Sequence, residues 1–454
     1  MHSVDLFEKK VSSLYAHYLL PTLFAMASNS LYCLADVYFV SKGAGSTALA
    51  AMNIAIPLYT LYSAIGLTFG VGAATVMSVA EGEKQPKVRN KAYTYGMIGM
   101  VIIGLCIALL GNLFADNFAY LLGSSEELLP LVKAYMIPIN GMAVFFIVNY
   151  AASVILRNDH APRLAMIATM AGNFSNIILD YIFVIRFGMG IFGAALATAI
   201  GPVISLGIMS LHFLRRKNTI HLTKDVFDYK IWKRILSNGF GSGVLEISAG
   251  AVIVIFNYVI LKKADAMFLA AYAIITNIAY VGKGLLNGFA QASQPIISAN
   301  YGAMHTKRVK EAFLISIQTS LYFSIAAYLI CFIFSKDLAA LFANNDAALI
   351  EMAAQGIQFY FISLPFTALI TMFLYFFQSV EYGKVATLLA FLKGFIFILL
   401  GLFLLVTLFG INAIWFTVAF AEAFGVLLAL LFYKKKFPYN YTKENKIITL
   451  KITK

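Results

Sequence analysis

Apolar runs longer than 18 residues alternate with short polar connections along almost the whole chain. Such runs are long enough to cross about 30 Å of hydrocarbon. They are continuous rather than alternating ten-residue segments, which excludes an outer-membrane barrel. Twelve spans are predicted, at roughly 12–40, 47–76, 93–115, 130–156, 164–186, 191–214, 236–261, 267–297, 312–334, 349–380, 385–408 and 413–433. Pro21, Pro57, Pro138, Pro202, Pro295 and Pro365 lie in or near them. In a bundle, neighbours re-satisfy the backbone groups that proline frees, so bent helices are expected.

Composition agrees with this pattern. Only 12% of the 454 residues are charged and 61% are hydrophobic, against about 25% charged in a soluble chain. The net charge of +13 does not indicate nucleic acid, because the basic residues collect in loops. On the side of the termini they number 26, against 5 on the other, with Lys133, Lys283 and Lys393 inside spans. This bias predicts that both termini are cytoplasmic, and the lack of a short signal-peptide core followed by an A-x-A site makes the first span an expected uncleaved insertion signal. Cys33, Cys106 and Cys331 lie in apolar runs without metal-ligand spacing and read as packing residues.

The two halves resemble each other at a spacing of 220 residues. Gly82, Lys87 and Ala92 pair with Gly302, Lys307 and Ala312, and Gly190-Ile191 pairs with Gly410-Ile411. Leu122–Ser125 falls on Phe342–Asn345 in the same register. The offset carries span one onto span seven, so the repeat is parallel. The predicted fold is all-α: twelve transmembrane helices in two six-helix repeats forming a V-shaped pair. The predicted divisions are an N-terminal lobe 1–217, a linker 218–235, a C-terminal lobe 236–433 and a basic tail 434–454. Within the linker, Thr223–Ile235 reads either as plain connection or as an amphipathic helix on the membrane surface.

Charges inside spans carry the candidate chemistry. Asp36 lies in the first span. Asn176 and Asp180 stand four residues apart, on one face of the fifth. A charge at mid-bilayer costs about 2.5–3.5 kcal/mol, so such residues usually face a bundle interior and carry function. Neither acid repeats, since Asp36 maps to Phe256 and Asp180 falls near Leu400. The second half has its own charges, Glu246, Lys393 and Glu422. Burial favours the neutral form of a carboxyl group, and two carboxyl groups in one site share a proton. The same oxygens, with an amide and a hydroxyl, suit a bare hard cation such as sodium. Individual aromatic residues are not assigned to a substrate surface, because ordinary membrane packing explains most of them. No HExxH, GxSxG or GxxxxGK[ST] pattern occurs, so neither an enzyme nor ATP-driven transport is indicated.

Four segments resemble the multidrug and toxic compound extrusion (MATE) family: DVYFV at 36–40, FGVGAATVMSVAEGE at 69–83, LRNDHAP at 156–162, and NIILD with GAALATAIG at 176–180 and 193–201. The resemblance covers Phe7 to Tyr433. It implies a secondary active antiporter of the cell membrane, monomeric, exporting cationic lipophilic compounds in exchange for protons or sodium, with no other cofactor. By motif match the family's ion-coupling residues fall on Asp36, Asn176, Asp180 and Thr198, with Asn149 and Glu246 as accessory candidates; Lys393 is a further accessory candidate, read from its place inside a span and not from the resemblance. The chain departs from the family at LRNDHAP, which lacks the usual loop glycines, and at Lys393. The alternative is a lipid-linked oligosaccharide flippase of related architecture. That would need several basic residues facing the cleft, for which Lys393, Lys133 and Lys283 are the candidates.

Overall fold

The structure, a computed structural model, describes residues 5–343 and 346–437. Asn344, Asn345 and the tail beyond 437 lie outside the described residues. Ten helices are long and apolar enough to cross a membrane, and twelve if each of two bent pairs is one span. In order they are α1 (Val11–Gly45), α2 (Thr47–Gly82), α3 (Pro86–Leu113), α4 (Leu129–Gly141 with Ala143–Asn158), α5 (Pro162–Arg186), α6 (Gly190–Leu214), α7 (Tyr229–Lys263), α8 (Ala266–Gly302), α9 (Thr306–Ile333), α10 (Ala347–Tyr360 with Ser363–Ser379), α11 (Gly383–Phe409) and α12 (Ile411–Lys436). Short helices Ala115–Leu121 and Ser335–Ala340 follow α3 and α9.

Local chemistry sets many of the starts. Proline opens α3 and α5, where its missing N–H costs nothing. Asp228, Asp265 and Asp346 cap α7, α8 and α10 by accepting backbone N–H bonds. The break between α1 and α2 falls at Gly45, whose φ of 88° favours glycine.

The 220-residue register extends to the backbone. Lys84 and Met304 both take positive φ, at 58° and 59°. Gly190 and Gly410 do the same, at 57° and 81°, where α6 and α12 begin. The bends repeat as well: α4 turns by 55° at Met142 and α10 by 43° at Phe361-Ile362.

One large apolar core lies in the first half, around Tyr62, Met77, Tyr135 and Ile147, and takes in Ile231 and Ile235 from the first turns of α7. Another lies wholly in the second, around Phe256, Tyr272, Tyr360 and Trp415. The opening turns of α1 are an exception. Val11, Leu14, Tyr15 and Tyr18 pack with Phe289, Phe313 and Phe376 of the second half. By Ser28, α1 has joined the first half, where Asn173 donates to the Ser28 hydroxyl at 2.9 Å.

The halves meet on the side of the termini. A Cβ on Gly82 would press on the Ala299 carbonyl, and one on Gly302 on the Val79 carbonyl. Gly72 and Gly239 lie equally close to the backbones of Ile235 and Thr68. Arg157 donates to Gln291 across the same boundary at 2.6 Å, and Gln294 to Thr75 at 3.0 Å. Among the described residues, no hydrogen bond joins the halves beyond the level of Asn29 and Tyr280, near mid-span. The halves are therefore fastened on one side and part toward the other. Gly82→Val should cost about 1–3 kcal/mol, because backbone cannot yield to a new side chain. A melting curve of the detergent-purified protein measures this, and an unchanged midpoint would contradict the contact.

Of the stretch Thr223–Ile235 considered as an amphipathic helix, residues 229–235 are the first turns of α7, while residues 217–228 are a plain, non-helical connection. Their backbone groups are taken by side chains of the first half. Asp159 accepts from the Thr219 N–H, Asn90 from the His221 N–H and Thr94 from the Thr223 N–H. The Tyr95 hydroxyl donates to the Val226 carbonyl and accepts from the Asp228 N–H. These bonds replace the helical ladder. Helix resumes at Tyr229, seven residues before the predicted start of span seven. Asp159 also accepts from Arg89 at 3.2 Å and pairs with His212 at 2.7 Å, which ties the linker to α3 and α6.

Candidate functional site

Asp36, Asp180 and Thr198 sit six to nine residues from the far ends of α1, α5 and α6, roughly 9–14 Å into the helices at the usual rise. Three neighbouring helices thus place them at one depth. Asp180 is fully buried, and Asp36 is 8% exposed. The two carboxyl groups are close enough to act on each other electrostatically. Asn176 lies one turn before Asp180 on the same face. Its amide donates to the Thr198 hydroxyl at 3.3 Å, and that hydroxyl donates to the Ala194 carbonyl at 2.9 Å.

The remaining oxygens lack donors. Both Oδ atoms of Asp180, Oδ1 of Asp36 and Oδ1 of Asn176 are buried without a hydrogen-bond partner among the described residues. Buried acceptors of this kind normally find donors. Together they form a pocket of acceptors, suited to protons or to a hard cation that takes oxygen ligands. Helix backbone adds no donors here, since its N–H groups are used along α1, α5 and α6.

Tyrosines enclose this pocket, and sequence reading did not single them out. Tyr135 of α4 acts electrostatically on both aspartates and lies close to Thr198. Its hydroxyl meets that of Tyr59 at 3.0 Å. Tyr62 donates to Asn140 at 2.6 Å, and Asn140 donates to the Gly111 carbonyl. The available signal was a polar residue recurring in apolar runs, but 15% of the chain is aromatic, so tyrosine alone discriminates poorly.

The accessory candidates lie apart. Asn149, on α4, has an unpartnered Oδ1, and no hydrogen bond among the described residues joins it to the four residues above. Glu246 stands at the middle of α7 and faces the boundary between halves, accepting from Ser63 at 3.3 Å. Tyr150, Tyr280 and Tyr375 are within its electrostatic reach. Lys393 donates to both carboxylate oxygens of Glu422, at 3.0 and 3.1 Å. Both are more than nine-tenths buried. Lys133 pairs with Asp116 at the far surface. Two of the three lysines that a flippase would have aimed into the cleft are thus engaged with acids.

An all-helical bundle of up to twelve spans, built on an internal repeat and holding acids away from lipid, is the architecture of a membrane transporter. The MatE family model matches residues 21–182 and 246–403, one block in each half, and the chain belongs to that family. The chain is 26% identical to the multidrug export protein MepA of Staphylococcus saprophyticus over 418 residues, 91% of this chain and 92% of that one. MepA of Staphylococcus aureus is similar to the same degree over 419 residues. Among solved structures, a MATE in complex with MaL6 superposes with a TM-score of 0.91 at 22% identity, covering 96% of this chain and 98% of that one. An outward-facing MATE family transporter of the MOP superfamily does so at 0.90, also at 22% identity and with the same coverage. Nothing in these comparisons supports the flippase.

Proposed function

We propose that this chain is a secondary active exporter of cationic lipophilic compounds, exchanging them for protons or sodium. The observation that carries the reading is the pocket of unpartnered acceptors at Asp36, Asn176 and Asp180, with Thr198 completing it. The names of the staphylococcal relatives support the drug class.

Exchange follows from linkage. A proton or cation in the pocket neutralises the acids and favours one arrangement of α1, α5 and α6. The exported compound favours the other, and the shift obtained cannot exceed the difference in affinity. Halves fastened on one side, with bends at matched positions of α4 and α10, suit alternating access by rocking. The excess of basic residues on the terminus side supports a cytoplasmic location for both termini, in the plasma membrane.

Dye transport in inverted vesicles tests the reading. An imposed proton gradient should drive accumulation of a cationic dye, and a sodium gradient alone should not. A sodium-only response would replace the coupling ion. No response to either gradient would remove the exchange mechanism.

A further inference from the structure

α8 carries a polar stripe. Thr276, Tyr280, Lys283, Asn287, Gln291 and Gln294 recur at spacings of three and four, which places them on one face. Three of them hydrogen-bond the first half: Tyr280 accepts from Asn29 at 3.4 Å, Gln291 from Arg157 at 2.6 Å, and Gln294 donates to Thr75 at 3.0 Å. The stripe therefore faces the first half across the boundary.

Lys283 and Asn287 sit on that stripe between Tyr280 and Gln291, and neither reaches a partner in the first half among the described residues. Lys283 is the one charged residue of α8 and stands at its midpoint. Its side chain is partly exposed. The ammonium lies over the Tyr360 ring, 6.0 Å from the centroid. Among the described residues no carboxylate comes within ion-pair distance of it. Glu422 is the nearest acid in electrostatic terms, but Lys393 holds both of its oxygens. The cluster Lys283, Lys393 and Glu422 thus has one positive charge in excess, at mid-span and beside tyrosine rings.

An ammonium that has only the Tyr360 side chain beside it, and no carboxylate of its own, calls at this depth for a counter-charge that comes and goes. The geometry points to Lys283 as a subsite for an anionic group, a carboxylate carried by an otherwise lipophilic, aromatic compound. This assignment rests on the export reading and extends its substrate class.

Two dyes that differ at one group provide the test. Rhodamine 110 carries a free carboxylate, and rhodamine 123 is its methyl ester. Both are followed in vesicles bearing wild type, Lys283→Met and Lys283→Arg. Lys283→Met should raise the half-saturating concentration of the acid at least about tenfold, the loss expected for one hydrogen bond to a charged group. Ester transport should stay within about twofold, which also reports that the variant is folded, and Lys283→Arg should keep both dyes. Equal changes for the two dyes, an unchanged acid, or a wild type that carries the ester and refuses the acid would each overturn the assignment. A wild type that carries neither dye defeats the export reading instead. Fluorescence anisotropy on purified protein then decides the subsite separately: tighter acid than ester binding, lost in Lys283→Met, retains it, and equal binding ends it.

Discussion

Asparagine at position 36 or 180 should cut gradient-driven dye export by about 5–150-fold, the range that a coupling free energy of about 1–3 kcal/mol spans. The substitution is nearly isosteric; it removes the capacity to change charge and exchanges one acceptor oxygen for an NH2 donor, which the surrounding acceptors can take up. Its structural cost should be small for a specific reason. Neither oxygen of Asp180 accepts a hydrogen bond among the described residues, and Oδ1 of Asp36 accepts none, so little is lost. A buried group that no longer ionises also escapes the desolvation cost of a charge. Thermal stability in detergent should therefore equal or exceed that of wild type while transport falls. Undiminished export by both single variants would refute the pocket's role. Parallel loss of export and stability would make these residues structural.

The second large effect concerns α11 and α12. Glu422→Ala should destabilise the protein by about 3–5 kcal/mol, because it strands a buried lysine. Lys393 is 9% exposed, and among the described residues it has no other acid at ion-pair distance. Replacing both residues together, Lys393→Met with Glu422→Leu, should be neutral or stabilising by about 1–4 kcal/mol, since no charge is left to desolvate. Denaturation monitored by tryptophan fluorescence is a suitable readout. Trp415 lies in the core of the same half, stacked on Phe268 at 4.6 Å and close to Tyr272 at 6.4 Å between ring centroids. A single variant as stable as wild type would mean that the ion pair contributes nothing measurable.

Much of the fold could be read from hydropathy, because a span must be long and apolar to lie in hydrocarbon at all. The predicted spans fall on the observed helices. α3 and α7 differ most at their starts, because Pro86 and Asp228 set the first turn well before the apolar run begins. The repeat was visible in Gly82 and Gly302, residues that a close backbone contact requires. The pairing of Lys393 with Glu422 was harder to see. The two charges are 29 residues apart on adjacent helices, and only packing decides whether they meet. The choice between the two linker readings was open in the sequence for a similar reason: its backbone partners, Asn90, Thr94, Tyr95 and Asp159, are distant in sequence. In the candidate pocket, Asp36, Asn176, Asp180 and Thr198 stood out as polar groups in apolar runs. Tyr135 and Tyr59 did not, because a tyrosine in a membrane helix is ordinary until its hydroxyl is placed.

The glycine contact on the terminus side is reciprocal. Residue 82 meets 299, residue 302 meets 79, and each pair is the other shifted by 220 positions. That is the signature of an isologous interface, in which one patch binds a copy of itself about a two-fold axis. A half-length ancestor with this patch would already have assembled as a homodimer. Fusion of two copies would then have freed each side to diverge, which matches the unlike charges they now hold: Asp36 and Asp180 in the first, Glu246, Lys283, Lys393 and Glu422 in the second.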